Sequence, residues 1–276
     1  MPVALLLALD RGNDSLKAAI FVEGEIVARW RMRTACPETA LRRIAREVAW
    51  ASMGARAVRL SAPDRSRLKR LLAGTALFHG VVCSSVDPNW TRGMRAVLAR
   101  MGASRVLEVS SKMNLPFEVL VARPAKVGPD RLAAAAGILA KGAVEGIIVD
   151  AGTAVTVDVL SKKGFLGGSI FPGTALMRRA LHAGTAVLPL VPISFGELDP
   201  PGRDTREAIA SGTHWGSIGA VKELVARSRG GVSSNAGLWV TGGWGAALAS
   251  HLGDDVHYEP DLVLLGMRHL FDLNQR

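Results

Sequence analysis

Leu7–Trp30 reads LALDRGNDSLKAAIFVEGEIVARW, and Ile147–Ile170 reads IIVDAGTAVTVDVLSKKGFLGGSI. Each runs an apolar strand into Asp-x-Gly, then a second apolar stretch, a glycine turn and a third strand. Fourteen positions separate Asp10 from Gly24, and fourteen separate Asp150 from Gly164. Asp10 and Asp150 themselves stand 140 positions apart, about half of the 276 residues. An apolar strand ending in Asp-x-Gly puts a carboxylate at a sharp turn whose glycine lets the backbone approach a ligand. Binding a phosphate and its metal ion demands that arrangement. Two such turns facing each other would clamp a nucleotide between related halves. A plain tight hairpin explains one copy equally well; the matched spacing of two shifts the balance to the ligand.

Working outward, the pattern predicts strands near 3–9, 16–22 and 25–33, a helix at 38–52 and a strand at 57–61. A helix at 64–73, a strand at 80–84, a helix at 89–101 and a strand at 105–109 complete the first half. Three antiparallel strands followed by helix and strand alternation is the ribonuclease-H-like order, a mixed sheet with helices on its faces. The second half opens with the helix DRLAAAAGILA and repeats the plan. Its strands are expected at 146–150, 154–160 and 165–171, and its helices at 173–183 and 205–228. A strand at 237–241, a helix at 243–251, a short strand at 256–258 and a last helix at 261–273 follow. The expected class is therefore α/β, a duplicated ribonuclease-H-like fold of two similar lobes. They divide as 1–115 and 116–276, with the hinge in the polar, proline-bearing segment Ser110–Pro124.

Composition narrows the functions. Apolar residues make up 49% of the chain with no long polar tract, which implies filled cores in both lobes. Val3–Leu9 is too short to span a bilayer, lacks a basic leader and turns at once into Asp10 and Arg11, so it reads as a buried first strand. Cys36 and Cys83 show no CxxC or metal-like spacing, which fits a reducing, cytoplasmic compartment. The formal charge is +10, with arginines gathered in Arg29–Arg46 and Arg65–Arg70. At helical spacing between apolar residues these read as a solvated helix face rather than a nucleic-acid surface. A diffuse positive field also favours anionic small molecules such as ATP.

Four constellations carry chemistry. In Asp10-Arg11-Gly12-Asn13-Asp14-Ser15-Leu16-Lys17, the glycine opens the turn, Asn13 and Ser15 offer donors to phosphate oxygens, and Lys17 adds positive charge. Gly128-Pro129-Asp130-Arg131 opens an alanine-rich helix. It reads either as a well-capped start or as a carboxylate that takes a hydroxyl proton beside an anion-fixing arginine. Asp150-Ala151-Gly152-Thr153 repeats the first turn with a carboxylate that can hold a cation, directly or through water. Val240-Thr241-Gly242-Gly243 leaves a strand through two glycines, close enough to touch an adenine or ribose, or else forms a simple strand-to-helix turn. Beyond these, GGSIFPG at 167–173 suggests a loop packed tightly against a neighbour, and Asp204-Thr205 precedes a helix as an N-cap does. The six histidines lack metal-ligand spacing, and no GxSxG elbow occurs.

Together, DRGN, GPDR, DAGTA, GGSIFPG, DTREAI followed by Ser211-Gly212, VTGG and the closing EPDLVLLGM resemble the type III pantothenate kinases, in the family's order over nearly the whole chain. The resemblance implies a duplicated fold of the actin, Hsc70 and sugar-kinase type, usually a homodimer. The implied reaction passes the ATP γ-phosphate to the primary hydroxyl of pantothenate, the first step of coenzyme A synthesis. By the same resemblance, Asp10, Gly12, Asn13, Asp14, Ser15 and Lys17 form the phosphate loop. Thr153, Gly242 and Gly243 also contact ATP. Asp130 is the proton acceptor, and Gly128, Pro129, Asp130, Arg131 and Thr205 contact pantothenate, Thr205 across the dimer. Asp150 matches the monovalent-cation position, for potassium or ammonium, and magnesium accompanies ATP near Asp10, through water.

Three positions depart from the family. Asp14 stands where Thr or Ser is usual, and a carboxylate about 4 Å from a phosphate charge costs roughly 1–4 kcal/mol per unit charge unless a cation intervenes. Val121, three residues before Pro124, replaces a Tyr, and Asp204 replaces an Asn that caps equally well. Two rival readings follow. One is a related kinase for another small hydroxy acid, suggested by Asp14 and Val121. The other is a non-catalytic regulator, because the resemblance includes proteins known as Bvg accessory factors.

Overall fold

The computed structural model describes residues 5–33, 36–44, 78–100, 103, 105–193 and 199–275. The chain forms two compact units. One takes Met1–Pro116, Ala125–Ala140 and Val263–Arg276, and the other takes Phe117–Pro124 and Lys141–Leu262.

The first unit is built on β1 (Leu5–Arg11), β2 (Leu16–Val22), β3 (Glu25–Met32), β4 (Gly80–Ser85) and β5 (Val106–Glu108), in the order β3-β2-β1-β4-β5. β1 runs antiparallel to β2 and parallel to β4. Being central, it is covered on both faces, which is why Leu5–Leu9 is continuously apolar instead of alternating. Leu5, Leu7 and Leu9 point into a core with Leu41, Ile44, Trp90, Met94 and Leu98. Those partners come from helix α1, described over 37–44, and from α2 (Pro88–Arg100). Asp87 starts α2 by accepting from the backbone of Asn89 and Trp90, with Pro88 at the first helical position. α3 (Pro129–Ala140) packs against β4.

The second unit repeats the plan with β6 (Gly146–Ala151), β7 (Ala154–Ser161), β8 (Gly164–Pro172), β9 (Gly237–Thr241) and β10 (Val256–Tyr258). Their order is β8-β7-β6-β9-β10, the same topology strand for strand, with the same parallel and antiparallel pairs. After α4 (Thr174–Gly184), the long α5 (Thr205–Ser228) lays Ile218, Val221 and Val225 on Ile147, Val149 and Val157. The short α6 (Gly245–Ala249) adds Leu248 to this core.

The last helix, α7 (Leu262–Leu273), belongs almost wholly to the first unit. A side chain at Gly266 would lie 1.7 Å from the carbonyl oxygen of Ala133, so α7 crosses α3 backbone to backbone. That crossing explains the alanines of α3. Phe271 of α7 fills the place a side chain at Gly80 would occupy. Thus the helix that opens the second half of the sequence packs with the first unit, and the chain first passes from that unit to the other after Pro116.

The expected strand at 57–61 and helix at 64–73 lie outside the described residues, as does the end of the helix expected at 38–52. The segment 167–173, expected both as the end of a strand at 165–171 and as a tightly packed loop, is mostly strand β8. Its tightness is real: a side chain on Gly168 would stand 2.2 Å from the carbonyl oxygen of Val157. The helix expected at 243–251 shrinks to Gly245–Ala249.

Candidate active site

Asp10 sits one residue before the end of β1 and is buried, 6% exposed. Its strand neighbours are Lys17 on β2 and Ser84 on β4. Side chains alternate along a strand, and Leu7 and Leu9 feed the core on the other face, so the carboxylate, the ammonium and the hydroxyl share one face. Gly12, Asn13, Asp14 and Ser15 bridge β1 to β2, closed by a bond from Gly12 N to Ser15 O of 3.1 Å. Asn13 and Asp14 are exposed, and Ser15 and Lys17 are half-buried. The Arg11 guanidinium braces the loop, its Nη1 donating to Gly12 O and Asn13 O. A side chain at Gly12 would meet only Ser15 O, at 3.8 Å, so this glycine leaves open space rather than relieving a clash.

In the same unit, Gly128 precedes α3, and Pro129, Asp130 and Arg131 form its half-buried first turn. Asp130 Oδ1 accepts from Arg131 N at 2.9 Å. The carboxylate folds so closely over Gly128 that a Cβ there would sit 2.5 Å from Oδ1. The capping role is therefore present in this conformation. Oδ2 has no hydrogen-bond partner among the described residues.

In the second unit Asp150 ends β6 as Asp10 ends β1, between Thr156 of β7 and Thr241 of β9. Two glycine-bearing segments crowd its turn. Gly242, at φ +96°, passes so near that a Cβ would lie 2.5 Å from Asp150 Oδ1. Gly173 donates from its N to Thr153 O at 2.9 Å, and a Cβ on it would stand 2.4 Å from Gly152 O. Trp244 N donates to Ala151 O at 3.1 Å, which fixes the Gly242-Gly243 turn to the strand. Thr153 is half-buried and Gly243 exposed.

Thr205 is exposed at the first position of α5. Asp204 caps that helix, Oδ1 accepting from Glu207 N at 2.9 Å while Glu207 Oε2 accepts from Arg203 N at 2.7 Å. The helix is pinned by a residue that sequence reasoning missed. Arg178 of α4 is buried and donates to Thr213 Oγ1, Ala210 O and Pro192 O. Burial holds its guanidinium below the ordinary arginine range. A second missed feature is the ring cluster of His214, Trp215, Trp244 and His251, with centroids 5.2–5.8 Å apart. It reaches the Gly242-Gly243 turn through Trp244.

Two copies of one five-stranded mixed sheet, each with an aspartate at the end of its central strand, define an α/β fold of the actin and sugar-kinase type. The family model that describes type III pantothenate kinase matches residues 6–227, and the chain belongs to that family, which makes it a kinase. A type III pantothenate kinase from Chlorobium luteolum is 37% identical over 78% of this chain and 83% of its own length. One from Dehalococcoides mccartyi is 32% identical over 98% of this chain and 96% of its own. Among solved structures, a Baf family protein from Campylobacter jejuni shares the fold at a TM-score of 0.57 and 18% identity, covering 97% of this chain and 98% of that one.

Proposed function

We propose that this kinase transfers the γ-phosphate of ATP to the primary hydroxyl of pantothenate through the residues just described. The observation that supports the reading is that each unit ends its central strand in an aspartate, Asp10 in one and Asp150 in the other, while Asp130 stands in the first turn of a helix with Oδ1 on Arg131 N. Asp130 orients the hydroxyl and collects its proton late, which is sufficient for a loose phosphoryl-transfer transition state. Arg131 and Thr205, with Gly128 and Pro129, hold the pantothenate. The loop Asp10–Lys17 takes the phosphates, and Thr153, Gly242 and Gly243 take the rest of ATP.

Among the described residues no group of three or more His, Cys, Asp or Glu gathers to form a metal site. Magnesium therefore fits as a hydrated ion carried by ATP, facing Asp10 through water. It would supply charge neutralisation on the phosphates. The Asp150 turn offers only oxygen donors, a carboxylate and loop carbonyls, which suits potassium or ammonium better than a transition metal. A homodimer is supported by exposed apolar side chains on the second unit, Ile170, Val187, Leu190 and Ile193, which a second copy would cover. No helix among the described residues is long and apolar enough to cross a membrane.

Neither rival reading gains an observation in its favour. Purified protein given ATP, magnesium, potassium and pantothenate is expected to yield 4′-phosphopantothenate by mass spectrometry. Asp130→Asn, with an unchanged circular dichroism spectrum, is expected to lose about 10³-fold in kcat. Full turnover by that variant would remove Asp130 from the reaction.

A further inference from the structure

Ser84 is completely buried, and its Oγ has no hydrogen-bond partner among the described residues. A buried hydroxyl left in that state is costly, so where it stands in the fold is informative. Its position says what that is. Ser84 is the register partner of Asp10 on the adjoining strand, about 4.8 Å away across the ladder, and shares its face of the sheet.

The second unit provides an internal control. Thr241 stands to Asp150 as Ser84 stands to Asp10, on the parallel neighbour of the central strand. Thr241 Oγ1 donates to the carbonyl of Pro260, at a long 3.5 Å. One fold, at two equivalent positions, thus turns one hydroxyl to its own backbone and leaves the other unused.

We propose that Ser84 is a positioning residue for the magnesium–triphosphate, acting with Asp10 on a single water of the hydrated cation. Such a water has both protons to give, because its lone pair faces the metal. The Asp10 carboxylate would accept a hydrogen bond from one and Ser84 Oγ from the other, which would fix the water's orientation where the carboxylate alone leaves it free to swing. No bond is made or broken. Ser84 keeps its own proton, available to an oxygen of Asp10 or of the phosphate. The inference rests on the assignment of Asp10–Lys17 to the ATP phosphates and adds a residue outside that loop.

An unused hydroxyl in an apolar sheet also predicts a trade of stability for binding, the reverse of what a structural serine would show. The test is calorimetric binding of ATP, with magnesium and with EDTA, to the natural protein, Ser84→Ala and Ser84→Thr, together with the melting temperature of each without ligand. Ser84→Ala is expected to bind magnesium–ATP about tenfold more weakly and metal-free ATP within about twofold of the natural protein, and to melt at the same or a higher temperature. Ser84→Thr, which copies the second unit, is expected to keep most of the magnesium-dependent affinity. Equal magnesium–ATP affinity in Ser84→Ala would overturn the inference. So would a parallel loss of metal-free binding, or a lower melting temperature, since either marks a structural role. If the natural protein itself bound no magnesium–ATP, the phosphate-loop reading would fall first and this inference with it.

Discussion

The loops after Asp10 and Asp150 follow the same strand with the same pairing, yet they are not the same loop. Arg11 pairs with Leu16 across four bridging residues, whereas Ala151 pairs with Val155 across three. The extra length in the first copy is the stretch that contains Asp14, and the first copy alone has an arginine, Arg11, tied to its carbonyls. Counting formal charges at Asp10, Arg11 and Asp14, the first loop carries the same net −1 as the second has from Asp150 alone. The flanks differ too: Lys17 and Ser84 beside Asp10, Thr156 and Thr241 beside Asp150. A cation-bearing triphosphate suits the first set, with its ammonium and a buried hydroxyl unpartnered among the described residues. A bare alkali ion suits the second.

The largest break in the comparison is expected from the carboxylates themselves. Asp10→Asn should lower kcat/KM for ATP by roughly 10²–10³-fold, and Asp150→Asn by only about tenfold at saturating potassium, read by coupled ADP release. Equal losses would mean that the loops are interchangeable.

The glycines come next, and they separate structure from binding. Gly242→Ala should cost roughly 2–4 kcal/mol of stability by urea unfolding, because φ is positive there and the new Cβ would strike Asp150 and Ala151. Gly12→Ala should leave stability within about 0.5–1 kcal/mol, since nothing lies within 3.8 Å, while weakening ATP binding measurably. A destabilised Gly12→Ala would give that glycine a structural role instead.

Asp14→Thr should change ATP affinity by less than about threefold, because Arg11 already offsets the added charge, and the same change in an Arg11→Met background should raise it more. Additivity of the two substitutions by calorimetry would dismiss the compensation.

The smallest effect concerns the entrance to β6. Glu145 accepts from Ser233 Oγ and N and lies 3.7 Å from Lys162 Nζ, and the Ser233 bonds foremost hold its carboxyl below the ordinary glutamate range. A depressed pKa stabilises the fold above the unfolded value and loses that contribution as pH falls through the folded one. Glu145→Gln should therefore melt slightly lower at pH 7, and the gap should close below about pH 4. A gap unchanged with pH would mean packing, not charge, is what Glu145 supplies.

Much of this was legible because the signals are local. Continuous apolar runs mark the central strands, Asp87-Pro88 and Asp204 mark helix starts, and GPDR marks a helix whose first turn holds a carboxylate. The repeat was legible as well, but the equal Asp-to-Gly spacing misleads about its cause. Gly24 follows Glu23 in a tight turn with both φ positive, at +94° and +49°. Gly164 instead opens β8 after a Lys162-Lys163 turn, and must be glycine because a Cβ would lie 2.4 Å from Glu118 O of an adjoining extended segment. In the second copy the shorter loop after the aspartate and the later glycine cancel in the count. What no local pattern carries is contact at long range. Gly266 against Ala133 binds α7 to α3, which also packs against β4, and neither contact is local in sequence. Arg178 and Arg179 are adjacent on α4, yet the first is buried and the second exposed. Ser84 is one serine of a Ser-Ser pair at a strand end, and only the register places it beside Asp10.

The division of labour between the two carboxylates is tested most directly by the activation constants for magnesium and for potassium, measured in the natural protein, Asp10→Asn and Asp150→Asn. Asp10→Asn is expected to raise the magnesium constant and leave potassium unchanged, and Asp150→Asn to do the reverse. Both variants shifting the same constant, or neither shifting any, would contradict the account.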